Sequence, residues 1–502
     1  MKRGFRATFL LTAWNAGIII SKKDFMKQCI LEIKDEVNCR LSNLDVETRR
    51  KIVKELTYFL PYARHTPAYK LGRWNGNITF CDTGGRTYIN LLDRILPIVY
   101  SAGYDIELDD RRTHYSFEFQ EVDENSYSHV KWPEGHPLAG QPVVLRDYQV
   151  GVINSSLQET QSVNICPTAG GKTIITAILS HKVEQYGRSV VIVPTKDLVT
   201  QTEEDYINFG LDVGVYYGDR KEVGHTHTIC TWQSLEVLKK KRDGSIDAMT
   251  DGVAAVIVDE VHKAKADVLK RLLSQEFAHC PIRWGLTGTL PEEEYEKVGV
   301  LACIGPTAGE IKASDLQEKG YLANCHIDIW QLQDPGGFNN YQAELKWLTT
   351  CSDRIEFIAD KISGLAQQGN TLVLVDRVQT GEMLEEHLGG VFISGKVKST
   401  DRKEEYKSVQ FEDNKLIIAT YGVASTGINI NRIFNLVLIE PGKSFVRVIQ
   451  SIGRGLRVAE DKDFVNVYDI TSSCKYAKRH LTKRKKHYKE AGYPHKVHKL
   501  NY

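Results

Sequence analysis

The chain has 502 residues, 42% hydrophobic and 26% charged, with 65 Lys and Arg against 64 Asp and Glu. That length exceeds one hydrophobic core and fits about three domains. The near-zero balance excludes a polycation, so any nucleic-acid surface must come from local clustering of charge. Ten cysteines include no Cys-x-x-Cys pair, which argues against a zinc site or a disulfide framework and for free thiols in a reducing cytoplasm. No apolar run has the length of a membrane span.

Residues 1–25 begin with basic residues and an apolar run from Ala7 to Ala13 that mimics a secretory signal. The run is short, Trp14 and Asn15 interrupt it, and no small-x-small site follows, so a disordered extension is expected. Residues 26–125 read as a small α+β, DNA-binding domain. Cys29–Ile33 reads as a strand, and Asp45–Leu60 has helical spacing of apolar residues. Strands are expected at 78–81, 87–91 and 114–119, with Gly84-Gly85 as a hairpin turn between the first two. Residues 126–142, polar and rich in Gly and Pro, read as a linker.

From Val143 the pattern changes. Ser189–Val193, Ala254–Val258, Thr371–Val375, Leu416–Ala419 and Leu436–Ile439 are short apolar runs, each followed by a helix-length segment. Such runs suit central strands of a parallel sheet covered on both faces. Two α/β domains are expected, at 143–308 and 309–472, followed by a basic tail at 473–502. From Lys475 to Tyr502 the chain carries ten Lys or Arg and one Glu. Lys483, Arg484, Lys485 and Lys486 at its centre are expected to bind phosphates.

A strand over 162–165 leads into Cys166-Pro-Thr-Ala-Gly-Gly-Lys-Thr173, and a helix follows. The turn therefore lies at a helix N-terminus, where unpaired N–H groups and the helix dipole favour phosphate. Pro167, Thr168, Ala169, Gly170 and Gly171 form the cradle. Lys172 should reach the β- and γ-phosphates, and the Thr173 hydroxyl should bind Mg²⁺. Cys166 stands where the general pattern has its first Gly. Asp259 ends an apolar strand, where α/β folds bind ligands, and can hold Mg²⁺ through its water shell. Glu260 is the candidate base for the attacking water.

Further motifs keep a fixed order: Leu145-Arg146-Asp-Tyr-Gln149, Val193-Pro-Thr-Lys-Asp197, Thr231-Trp-Gln-Ser234, Asp259-Glu-Val-His262, Thr287-Gly-Thr289, Ala419–Gly427 and Gln450–Arg457. Each is weak alone, but the series resembles superfamily 2 helicases over most of residues 143–472. The resemblance implies two RecA-like parallel-sheet domains that use ATP and Mg²⁺. It implies that Leu145, Arg146, Gln149 and Gly427 contact ATP, with Gln149 pairing to adenine N6 and N7. It implies that His262, Thr287, Gly288, Thr289 and Gln450 couple nucleotide state to domain movement. Arg454 and Arg457 look like arginine fingers, a device that contributes roughly three to five orders of magnitude in rate. Thr195, Lys196, Thr231, Trp232, Gln233 and Thr420 fall at the family's strand contacts, although a lone Trp in an α/β domain is more often core.

Outside that region, Leu71-Gly-Arg73-Trp74-Asn-Gly76 resembles an element of the N-terminal domain of phage UvsW-type helicases. Arg73 and Trp74 are then candidates for duplex contact, with Trp74 as a structural anchor the competing reading. The implied activity is ATP-dependent unwinding or migration of forked and branched DNA in phage replication, recombination and repair, in the host cytoplasm, with replication or recombination proteins as possible partners. A restriction-type DNA translocase, an RNA helicase and a non-catalytic binding protein are the alternatives.

Overall fold

The computed structural model describes residues 27–134, 138–168, 170–261, 266–397, 399–409, 412–424, 430, 432–444, 451–453, 456 and 461–502. Four sheets are present among them, of four, eight, seven and two strands. The expected extension at 1–25 lies outside the described residues. No described helix is long and apolar enough to cross a membrane.

In the N-terminal unit, Lys27–Ile33 pairs antiparallel with Asn38–Ser42 and parallel with Tyr104–Asp110. The expected helix is shorter than its apolar spacing suggests. It spans Val46–Glu55, capped by the Asp45 carboxylate on Thr48 N. Leu56 turns the chain into Thr57–Phe59, which pairs with Asn77–Thr79. The expected hairpin across Gly84-Gly85 is therefore a turn between strands that take other partners, because Arg86–Tyr88 joins Asn38–Ser42 instead. Gly85 is needed there: its φ is +81°, and a methyl group would lie 2.0 Å from Leu41 O.

Residues 114–119 form no strand. Phe117 and Phe119 share one side of an extended segment, but that side packs edge-on against Tyr186, with centroids 5.0 and 5.3 Å away. The Glu118 backbone bonds the Tyr186 hydroxyl rather than a neighbouring strand. The expected linker is also anchored, since Tyr127 is buried and its hydroxyl meets His181 Nδ1 at 2.8 Å.

The eight-stranded sheet is parallel apart from the short edge strand Arg220–Lys221. Alternate residues of its central strands enter opposite cores. Val191, Val193 and Ile257 face one, and Val190, Ile192, Val256 and Val258 face the other. Burial on both faces is why these strands read as unbroken apolar runs. Thr307–Glu310 closes this sheet against Gln161–Ile165 and so straddles the expected boundary at 308.

All pairs of the seven-stranded sheet are parallel. The last segment of the chain is not a tail. Lys475–Glu490 is a helix, and His495–Leu500 is the edge strand, paired with Asn324–Leu332. Ala477, Leu481, Arg484 and Tyr488 fall on one helical stripe and are buried.

Candidate nucleotide site and strand-facing edge

Strand register gathers the motifs. Thr287 lies opposite Ile165, Asp259 opposite Leu286, Val258 opposite Ile192, and Thr231 opposite Val193. In parallel strands this puts the turn after Ile165, the Asp259-Glu260 pair, Thr287–Thr289, Pro194–Lys196 and Thr231–Gln233 at one sheet edge. That is the carboxyl edge where α/β folds bind ligands.

The phosphate turn is tightly built. Gly171 has φ +73° and immediately precedes helix Lys172–Val183. A methyl group on Gly170 would lie 2.5 Å from Cys166 Sγ. Cys166, in place of the usual glycine, is fully buried, and burial pushes its thiol up to about 11, so it packs rather than reacts. Pro167 and Thr168 are half-buried on the same turn. Ala169 lies outside the described residues.

Lys172 Nζ lies 3.4 Å from Glu260 Oε1 and 3.4 Å from Cys166 O. Burial opposes its charge, but Glu260, Asp259 and Cys166 together outweigh burial and hold its pKa above the ordinary lysine value. Glu260 has φ +52°, outside the usual range for a side-chain-bearing residue, and its N–H donates to Asp259 Oδ1 at 2.9 Å. Strain of this kind clusters at functional sites.

The Thr287–Thr289 segment rests on the turn. Cys166 N donates to Thr287 O at 2.8 Å, and Gly288 passes close to Thr168. Among the described residues the buried Thr289 hydroxyl has no hydrogen-bond partner, and a polar ligand or water would satisfy it. His262 lies outside the described residues.

Gln149 is 4% exposed on helix Asp147–Gln158, with Nε2 against Gly171. Its Oε1 accepts from Arg146 N at 2.9 Å. That bond takes one of the two lone pairs on Oε1, so the second lone pair and the amide donor both remain for the two-point contact with adenine expected of Gln149. The Leu145 side chain is 2% exposed and belongs to the core, so the contact expected of this residue would have to come from its backbone. The Arg146 guanidinium lies 4.8 Å from the Tyr321 ring centroid. Tyr148 donates to Gly170 O at 3.0 Å and packs against Tyr321 at 5.5 Å. Sequence reasoning does not single out Tyr148 or Tyr321. Tyr148 stands inside the Leu145–Gln149 motif, but Tyr321 belongs to a distant segment with no local signal.

The second α/β unit reaches this site. A methyl group at Gly453 would lie 2.8 Å from Thr168 Cβ, so a glycine is required for the approach. Arg454, Arg457, Gln450 and Gly427 lie outside the described residues.

Further along the same carboxyl edge, Thr195 and Thr231 cap helices Lys196–Asn208 and Trp232–Lys241. Gln233 Nε2 donates to Pro194 O at 3.4 Å and so ties the two motifs together. Lys196 is exposed, whereas Trp232 packs partly buried against a core. Thr420 ends strand Leu416–Thr420 opposite Val375. Trp74 is a structural anchor, with Nε1 donating to Asn77 O at 3.1 Å and its ring 6.5 Å from Tyr62. Arg73 beside it is exposed.

Lys483, Lys485 and Lys486 are exposed on helix Lys475–Glu490, but Arg484 is not available to a ligand. It is fully buried, paired with both Asp469 oxygens at 2.8 and 2.9 Å, and donates to Gly442 O. Among the described residues no cluster of three or more metal-ligating side chains occurs. A Mg²⁺ held by Thr173 and Asp259 together with phosphates and waters needs no such cluster, and the donor set fits it.

Residues 142–292 match the family described as type III restriction enzyme, res subunit, and residues 353–459 match the helicase conserved C-terminal domain. The chain is similar to the ATP-dependent DNA helicase uvsW of Enterobacteria phage T4, 25% identical over 475 residues covering 89% of this chain and 92% of that protein. It is 25% identical over 359 residues to the general transcription and DNA repair factor IIH helicase/translocase subunit XPB/SSL2 of Saccharomyces cerevisiae, covering 66% of this chain and 42% of that one. Among solved structures, the ATP-dependent Type ISP restriction-modification enzyme LlaBIII bound to DNA shares the fold, with TM-score 0.55 and 11% identity, covering 82% of this chain and 36% of that chain.

Proposed function

We propose that this chain, which carries the res-subunit and helicase C-terminal family matches, is a superfamily 2 DNA helicase with ATPase activity that unwinds or branch-migrates forked DNA in phage replication, recombination and repair. The observation that carries the reading is the junction of the two α/β units: Gly453 of one lies on Thr168 in the phosphate turn of the other. Closure there can tie ATP turnover to relative movement of two units that each present strand contacts. Similarity to a phage DNA helicase over 89% of the chain supports the choice of DNA.

Lys172 binds the β- and γ-phosphates, which replace Glu260 as its partner. Glu260, so released, takes a proton from the attacking water. Thr173 and Asp259 would hold Mg²⁺, which would supply charge neutralisation at the phosphates. Gln149 pairs with the base through its amide group, and Arg454, next in the chain after Gly453, and Arg457, further along, supply charge to the transition state. The exposed Arg73 and the lysines of helix Lys475–Glu490 meet DNA beyond the tracked strand.

The res-subunit match over 142–292 favours a second reading, a restriction-type translocase that moves on duplex without separating it. One pair of assays separates the two. Strand separation on a labelled fork with ATP, in DNA and RNA versions, supports the first reading if DNA forks open. Displacement of a third strand from duplex DNA with no fork opening supports the second.

A further inference from the structure

The seven-stranded sheet carries a second concavity at the edge where Thr420 lies, and the strand contacts do not use it. Because every pair in this sheet is parallel, Thr420, Val375, Ile439 and Ser472 end successive neighbouring strands on one side. Two strand spacings separate Thr420 from the loop after Ile439, on the order of 10 Å. There an open concavity of about 400 Å³ is lined by Tyr341, Gly442, Lys443, Ser444, Tyr476 and His480. That volume falls in the range of sites for small molecules, roughly 300–1,000 Å³.

Its walls are held from beneath by buried groups. Arg484 donates to Gly442 O at 2.6 Å while paired with Asp469, and Tyr488 also donates to Asp469. His487 meets Lys443 O at 3.4 Å. The Glu344 carboxylate, 2% exposed, accepts from Tyr476 N and Ala477 N at 2.9 and 2.7 Å, which fixes the start of the helix. The Tyr341 ring lies 6.0 Å from Tyr476 and 5.1 Å from His480, in edge-on geometry.

The surroundings are cationic. Lys475 and Arg479 lie within 5.5 and 5.9 Å of the Tyr476 ring centroid, Lys443 lines the concavity and is exposed, and Lys478 and Lys483 are exposed on the same helix as Tyr476. The helix carries no carboxylate before Glu490. Burial, then Arg484, Lys443 and Lys483, hold His480 down to about 4, so it offers a neutral ring at neutral pH. Aromatic rings set in a cationic groove are what a single strand requires: stacking for its bases and charge for its phosphates.

We propose that this concavity takes an unstacked base of the tracked single strand, with Tyr341 and Tyr476 as its stacking partners and Lys443 with the exposed helix lysines on the flanking phosphates. The proposal rests on the helicase reading and names a site beyond its strand motifs.

The test uses the full chain and single-stranded DNA carrying 2-aminopurine at successive positions. In the unaltered protein, one or two adjacent positions should change fluorescence on binding. Tyr476→Ala and Tyr341→Ala should abolish that local signal and weaken binding about tenfold, as removing one stacking partner does. Tyr476→Phe should keep both, and ATP turnover without DNA should be unchanged in all three. A strand made abasic at the responsive position should bind the unaltered protein as weakly as an intact strand binds Tyr476→Ala. An unchanged fluorescence pattern and affinity in both alanine variants overturns the proposal. So does a uniform loss at every position together with lost basal turnover, since that marks a packing role. If the unaltered protein binds no single strand at all, the helicase reading itself fails.

Discussion

Lys172 and Glu260 are each about 10% exposed and hold one another at 3.4 Å, so nucleotide must compete with Glu260 for the lysine. Glu260→Gln weakens that competition and removes the proposed base. ATP should bind at least as tightly as in the unaltered protein while turnover falls by about two to four orders of magnitude, a contrast that titration calorimetry and steady-state kinetics resolve together. Lys172→Ala should lose both binding and turnover with the melting temperature little changed. At Gly453 the relation is steric: Gly453→Val drives a side chain into Thr168, so turnover should fall while the first α/β unit binds nucleotide normally. These positions differ in how far the sequence exposes them. Asp259 and Glu260 are legible because they stand at the end of an apolar strand, and Lys172 because it opens the helix that follows a short glycine turn after another such strand. The role of Gly453 is not, because it depends on the meeting of two segments nearly 300 positions apart, and Tyr321 is hidden for the same reason.

At the scale of elements, helix Lys475–Glu490 carries the main revision. A cluster of cations with one carboxylate reads as a solvated arm, yet Arg484 shares the helical stripe of Ala477, Leu481 and Tyr488. Helical spacing is the available signal, and the density of charge masks it. Removing the segment would strip a helix and an edge strand from the sheet, so charge substitution is the informative change. Replacing Lys483, Lys485 and Lys486 with Gln should leave folding intact and flatten the salt dependence of DNA affinity by roughly 0.7 in log–log slope for each single-strand phosphate that is no longer neutralised. Arg484→Met should instead lower stability by roughly 3–5 kcal/mol, because Asp469 is left buried and unpaired, and denaturant unfolding would read the difference. The N-terminal unit is legible as α+β, but its strand partners are not. Short strands such as Thr57–Phe59 and Arg86–Tyr88 carry too few residues for period-two patterning to choose among neighbours.

Across the whole molecule, the N-terminal unit is fastened to the segments that follow two of the nucleotide motifs. Lys270, on the helix after Asp259–His262, lies 4.2 Å from the Phe80 ring centroid, and Asn38 donates to Ser274 O at 2.8 Å on the same helix. Arg94 pairs with Glu294 on the helix after Thr287–Thr289. Arg283, fully buried, links the two helices by donating to Leu273 O, Phe277 O and Cys303 O. Lys270→Ala should therefore reduce the preference for forks over plain single strands more than it reduces turnover without DNA. Under the proposed function, ATP turnover at the Lys172 turn is governed by a nucleic acid gripped by both α/β units. The most direct test of that is the ATP turnover of the full chain measured alone and with single strands, duplexes, forks and four-way junctions, in DNA and in RNA, with Lys172→Ala as control. Strong stimulation by DNA, greatest with forks or junctions and absent in Lys172→Ala, is the expected result; turnover that no nucleic acid changes would contradict it.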